Sequence, residues 1–133
     1  MTRKTVDDLL QEARERLVRL TPTEALAAMQ RGEILVDTRC SEDLLHSGTI
    51  PGAVHVPLSV LEWQVDPTGT RDPHLARAER LILLCNHGFS SSLAAARLHD
   101  LGLTNSTDVI GGFEAWRAAG LPVVAGGVSP GTD

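Results

Sequence analysis

A chain of 133 residues has room for one domain with one core, and with 42% hydrophobic but only 3% aromatic residues that core must be built from Leu, Val, Ile and Ala. Lys and Arg number 12 against 17 Asp and Glu, and the resulting net charge of −5 argues against a nucleic-acid-binding face and against any broad field that gathers anions. Two cysteines are too few for a disulfide framework, the N-terminal MTRKTVDDLLQEARERL has no apolar signal core, and no run approaches membrane-spanning length, so the expected setting is a reducing cytoplasm with no membrane partner.

In chain order, residues 1–16 are expected to carry an N-terminal amphipathic helix from Thr5 to about Arg16. Val6, Leu9, Leu10, Ala13, Leu17 and Leu20 recur at helical spacing, and Asp7 and Asp8 suit the first turn. Such a helix packs on the domain surface or binds a partner. Val18 to Leu20 reads as a short edge strand. Thr21-Pro22-Thr23-Glu24 is a strong helix start, with a Thr cap, Pro at the first position and Glu three residues after the cap. Ile34-Leu35-Val36 reads as a buried strand ending at Asp37, and Ser41 as the cap of a short helix, Glu42 to Ser47. Ala53 to Val56 is a third strand, and a short helix follows that carries Trp63. Asp66-Pro67-Thr68-Gly69 is a turn, and Asp72-Pro73 starts a further helical turn.

Leu81 to Leu101, LILLCNHGFSSSLAAARLHDL, is the stretch around which the chain is organised. Its apolar run Leu81-Ile82-Leu83-Leu84 suits a strand buried on both faces. Ser91 to Leu101, closed by Gly102, suits a helix whose alanines lie close on a sheet. Cys85 then falls at the carboxyl end of a strand and just before a helix N-terminus, where α/β sheets bind ligands. Unpaired N–H groups of a first helical turn and of a curled loop stabilise an anion, and so favour a thiolate. Gly88 lets the loop curl, and Ser90 and Ser91 are candidate caps. The bland alternative is a buried structural cysteine. Asp108-Val109-Ile110 reads as a last strand and Phe113 to Ala119 as a last helix. Leu121 to Val124 packs back on the body, and 125–133 is expected as a flexible tail. Strands alternating with helices give a parallel, three-layer α/β fold over 17–124, with Leu35, Val36, Leu83, Leu84 and Ile110 buried in its sheet.

Four segments resemble the rhodanese-like sulfurtransferases in their single-domain bacterial form. Leu35-Val36-Asp37-Thr38-Arg39 is similar to the family's early Asp-x-Arg signature. Gly48-Thr49-Ile50-Pro51-Gly52-Ala53 resembles its Gly-His-Ile-Pro-Gly-Ala turn. Cys85 to Ser90 looks like its six-residue active-site loop, and Gly111-Gly112-Phe113-x-x-Trp116 like its C-terminal segment. The resemblance implies a three-layer α/β/α domain with a five-stranded parallel sheet. It implies a sulfurtransferase in which the Cys85 thiolate takes the outer sulfur of a donor, thiosulfate or another persulfide or polysulfide. A thiol, cyanide or protein acceptor then removes that sulfur. Asn86, His87, Gly88, Phe89, Ser90 and Ser91 are the implied donor and persulfide-binding residues. Arg39 is a candidate source of charge, or else a structural partner of its supporting neighbour Asp37. Cys40 is a candidate resolving thiol or an incidental one.

The departures bear on substrate. Asn86 and Ser90 stand where many members carry a cation, which argues against thiosulfate as the natural donor. Ser91 stands six residues after Cys85, where a Cys-x5-Arg phosphatase needs arginine. Cys85-x-His87 with Cys40 lacks zinc-ligand spacing, so neither metal nor cofactor is expected. A non-catalytic rhodanese-like binding or regulatory module is the alternative function.

Overall fold

In the computed structural model, which describes residues 2–69 and 72–125, four short parallel strands form a sheet in the order β2-β1-β3-β4. They are β1 (Ile34–Asp37), β2 (Val54–His55), β3 (Leu81–Leu84) and β4 (Thr107–Asp108). The two central strands pair over their whole length, Ile34 opposite Leu81 and Asp37 opposite Leu84. All their residues are buried, the signature of a parallel strand covered on both faces. The helices are α1 (Val6–Glu15), α2 (Pro22–Gln30), α3 (Ser41–Ser47), α4 (Leu61–Val65), α5 (Pro73–Ala76), α6 (Ser90–Asp100) and α7 (Gly112–Ala118).

Strand alternation divides the interior in two. Ile34, Val36, Leu81 and Leu83 face a cluster containing Leu61, Val65, Leu75 and the inner side of α6, namely Ala94, Ala95 and Leu98. Leu35, Ile82 and Leu84 face the other cluster, with Ala25 and Ala28 of α2 and Phe113 and Trp116 of α7. This is the three-layer α/β/α arrangement. The alanines of α6 let that helix approach the sheet closely, and α1 packs on α6 from outside. Both α1 and α2 begin with a complete capping box: Thr5 with Asp8, and Thr21 with Glu24. Leu121 to Val124 folds back, with Trp116 Nε1 donating to Pro122 O at 2.9 Å and Val124 bridging Thr49.

Four expectations are corrected. The sheet has four strands rather than five, because Val18 to Leu20 contributes only a single parallel bridge, Leu20 to Val109; the cap of α2 at Thr21 turns the chain away after one pairing. Ile110 is 42% exposed, since β4 ends at Asp108 and the chain is already turning toward Gly111. Ser41 is the first residue of α3 and Cys40 its cap position, without a side-chain bond. Ser90 and Ser91 do not cap α6 either; what they do instead belongs to the site. Of the expected tail, residues 126–133 lie outside the described residues. No helix among the described residues is long and apolar enough to cross a membrane.

Candidate active site

Cys85 leaves the carboxyl end of β3, and five residues later α6 begins. The strand order places this point where the chain, having gone out from β1 to β2, returns to the other side of β1. Adjacent connections diverge there and open a crevice. The cavity at this edge measures about 560 Å³. Cys85, Asn86, His87 and Ser90 line one side of it, and Thr38, Arg39, Cys40 and Asp43 the other.

The loop curls around the sulfur. Gly88 N donates to Cys85 Sγ at 3.2 Å and Ser91 N at 3.4 Å. Gly88 makes this possible with φ of +83°; a Cβ there would lie 2.8 Å from Gly111 N. The loop's outward carbonyls are held from behind by the start of α7, with Phe113 N donating to Cys85 O at 2.8 Å and Glu114 N to Asn86 O at 3.1 Å. Held in this way, the loop turns the Gly88 and Ser91 amides onto the sulfur. The amides of Asn86, His87, Phe89 and Ser90 have no acceptor among the described residues. Burial pushes the Cys85 thiol up. Hydrogen bonding with the Ser91 and Ser90 hydroxyls, and donation from the Ser91 and Gly88 amides, outweigh it, and the pKa falls below its ordinary value.

Ser91 is fully buried. Its hydroxyl donates to Asp108 Oδ2 at 2.7 Å, and its oxygen stands 3.2 Å from Cys85 Sγ. Ser92 donates to the same carboxylate oxygen at 2.7 Å. Asp108, also fully buried, is matched by Arg19, whose Nε donates to Oδ1 at 2.8 Å and Nη2 to Oδ2 at 3.2 Å. Arg19 Nη2 reaches Gly88 O at 3.2 Å, and Arg14 Nη2 reaches it at 2.8 Å. A buried polar cluster thus sits on the closed side of the loop. The sequence reading did not single out Arg14, Arg19 or Asp108. A signal existed for Arg14: Leu10, Arg14 and Leu17 stand at i, i+4 and i+7, which puts a guanidinium on the apolar stripe of α1.

Arg39 is buried, and its charge is matched by Asp37, Nη2 to Oδ2 at 2.8 Å, with Nη2 also donating to Gly48 O at 2.8 Å. Its guanidinium lies 3.9 Å from the centre of the Phe113 ring, and Nη1 has no hydrogen-bond partner among the described residues. It ties the strand end to the Gly48 turn and to α7. On the open side of the cavity, Asp43 Oδ2 accepts from Asn86 Nδ2 at 3.0 Å and from Cys40 Sγ at 3.2 Å. These bonds, the Asn86 bond foremost, hold the Asp43 carboxyl below the usual carboxylate range. The mouth therefore carries a negative charge. The His87 and Phe89 rings sit together at the exposed rim, 6.2 Å apart.

Comparison with known proteins agrees with this geometry. A family model described as a rhodanese-like domain matches residues 21–119. A thiosulfate sulfurtransferase GlpE from Actinobacillus succinogenes is 38% identical over 84% of this chain and 95% of its own length. One from Pseudomonas savastanoi pv. phaseolicola is 34% identical over 75% of this chain and 87% of its own. Among solved structures, a protein of unknown function from Rhodopseudomonas palustris, described as a possible tyrosine phosphatase, superposes with a TM-score of 0.83. It is 29% identical, and the match covers 93% of this chain and 97% of that one.

Proposed function

This chain belongs to the rhodanese-like domain family, and from that premise we propose that it is a sulfurtransferase that carries sulfane sulfur as a persulfide on Cys85. The Cys85 thiolate attacks the outer sulfur of the donor. The donor's sulfur–sulfur bond breaks and its leaving group departs with the electron pair, as sulfite does from thiosulfate. An acceptor nucleophile, a thiol or cyanide, then attacks the outer sulfur of the persulfide and restores the thiolate. No electrons are left on the protein, so the cycle needs no cofactor.

The observation that carries this reading is the cradle of amides. Gly88 N and Ser91 N already donate to Sγ, and the unpartnered amides of Asn86, His87, Phe89 and Ser90 suit the negative charge of a second sulfur. Donors fixed before reaction cost little reorganisation when charge develops. A phosphatase reading, suggested by the Rhodopseudomonas protein, is not supported. Ser91 occupies the position where arginine would clamp a phosphoryl group, and the guanidiniums of Arg14 and Arg19 face the closed side of the loop.

Intact mass tests the proposal. After exposure to thiosulfate, a polysulfide or a low-molecular-weight persulfide, wild type is expected to gain one sulfur and Cys85→Ser none. No gain from any donor would instead favour a non-catalytic binding or regulatory module.

The site also bears on the donor. Thiosulfate is a dianion, and it would meet the Asp43 carboxylate at the mouth, while Arg39 is already matched by Asp37. A high KM for thiosulfate is expected. Ser90→Arg, which places a guanidinium at the start of α6, should raise kcat/KM about tenfold, one charge-assisted bond after discounting for solvent. Asp43→Asn should act in the same direction by a smaller factor. Steady-state rates against an uncharged donor provide the control, since neither change should help it. Saturation of wild type at micromolar thiosulfate would contradict this account of the mouth.

A further inference from the structure

We propose that Arg14 and Arg19, which lie before the residues matched by the family model, are positioning residues for the Cys85 thiolate. They anchor the Gly88 carbonyl on the closed side of the loop and place positive charge behind the sulfur. This rests on the reading of Cys85 as the nucleophile, and it extends the active site into α1 and the segment after it.

The geometry converges on one residue. Gly88 gives its N–H to Cys85 Sγ and its carbonyl to two guanidiniums, Arg14 Nη2 at 2.8 Å and Arg19 Nη2 at 3.2 Å. A carbonyl held in that way cannot swing toward the sulfur. The bonds on it and on the facing N–H belong to one polarised chain. Arg14 Nε also donates to Ser92 Oγ at 3.2 Å, and that hydroxyl bonds Asp108. Arg14, Arg19, Asp108, Ser91 and Ser92 therefore form one continuous network beneath the loop.

The charges around Cys85 do not cancel. Asp108 of β4 matches Arg19. Asp37 matches Arg39 at the end of β1. Asp43 of α3 is negative at the open side, beside Cys40, and His87 stands at the exposed rim of the loop. Arg14 pairs with no carboxylate among the described residues. Its charge is the one left over, and Gly88 links it to the sulfur, with its carbonyl on Arg14 Nη2 and its N–H on Cys85 Sγ. The Arg14 pKa lies below its ordinary value, lowered by burial first and by the neighbouring Arg19 next, while Asp108 and the Cys85 thiolate favour its charge. Because this cation lies behind the loop and not in the cavity, it acts on the ionisation of the thiol and not on donor binding.

The test is the pH dependence of Cys85 alkylation, read by mass, in wild type, Arg14→Gln and Arg14→Lys. The glutamine variant should move the Cys85 midpoint up by about one pH unit, the size expected for one unit charge acting across roughly 10 Å at an effective dielectric near 20. The lysine variant should recover most of that shift. Arg14→Met, which keeps an unbranched side chain on α6, serves if the glutamine variant folds poorly. Rates of sulfur transfer should fall at neutral pH and recover at high pH, with donor KM unchanged. A wild-type midpoint in folded Arg14→Gln overturns the inference, and so does a lysine variant as shifted as glutamine. Failure of the functional reading would look different: wild type would take up no sulfur, whatever Arg14 does to the thiol.

Discussion

Gly112→Ala should abolish most sulfur transfer and cost about 3 kcal/mol or more of stability. Gly112 opens α7 with φ of +62°, and a Cβ there would lie within 2.7 Å of Asn86 C and Gly88 N and closer still to the carbonyl oxygen of Cys85. All three are backbone atoms, so no side chain can swing aside. The left-handed conformation alone costs a non-glycine residue roughly 1 kcal/mol, and overpacking adds about 1–3 kcal/mol. Relief requires α7 to retreat, which pulls on Phe113 N–Cys85 O and Glu114 N–Asn86 O, the bonds that keep the loop amides turned inward. A displacement of ~1 Å at a reacting group is enough for about a hundredfold loss of rate. Urea unfolding together with the rate of persulfide formation measures both effects. A variant with wild-type stability and rates within twofold would show that the loop does not depend on this close approach.

Asp108→Ala should be the most damaging change outside the loop and α7. The carboxylate is fully buried and accepts from Arg19, Ser91 and Ser92. Its removal leaves a guanidinium whose side chain is 15% exposed without its counter-charge. Breaking a buried pair from one side costs about 3–5 kcal/mol, and the residual exposure of Arg19 places the expectation at the lower end. The pair itself is not the source of net stability. Arg19→Met with Asp108→Leu should recover part of the loss, because a well-packed apolar pair is often as stable as the ionic one while the buried Ser91 and Ser92 hydroxyls lose an acceptor. Equilibrium unfolding of the two variants decides this. A loss below about 1 kcal/mol for Asp108→Ala would mean that water reaches Arg19 freely.

Where chemistry and chain position coincide, the sequence was legible. The two central strands show apolar runs of three and four residues, α2 shows its capping box, and the Cys85 loop is contiguous, so strand, sulfur and helix follow from one another. The polar cluster behind the loop was not legible because its members are far apart: Arg19 and Asp108 are 89 positions from each other, and Arg14 and Gly88 are 74. In a helix of alternating charge, an arginine reads as solvated surface, and only its i, i+4, i+7 place among leucines marks it. Ser91 was assigned to helix capping because serine at a helix start commonly caps. Here the Asp108 carboxylate, a stronger acceptor brought in by β4, claims its hydroxyl. The absence of a fifth strand among the described residues has a related cause. Val18 to Leu20 has strand composition, but Pro22 and the cap at Thr21 commit the chain to α2 after one paired residue.

The single bridge between Leu20 and Val109, next to the Arg19–Asp108 pair, joins segments far apart in the chain. During synthesis at ~5–20 residues per second, Arg19 waits on the order of ten seconds before Asp108 exists to receive it. Pairing of β1 with β3 must likewise close a long loop before any contact rewards it, which places folding among the slower small domains. The nascent chain therefore exposes Cys85 as an ordinary thiol. The network behind Cys85 closes when β4 joins β3 and brings Asp108 to Arg19. A chain that stops short of β4 lacks the carboxylate that Ser91, Ser92 and Arg19 share.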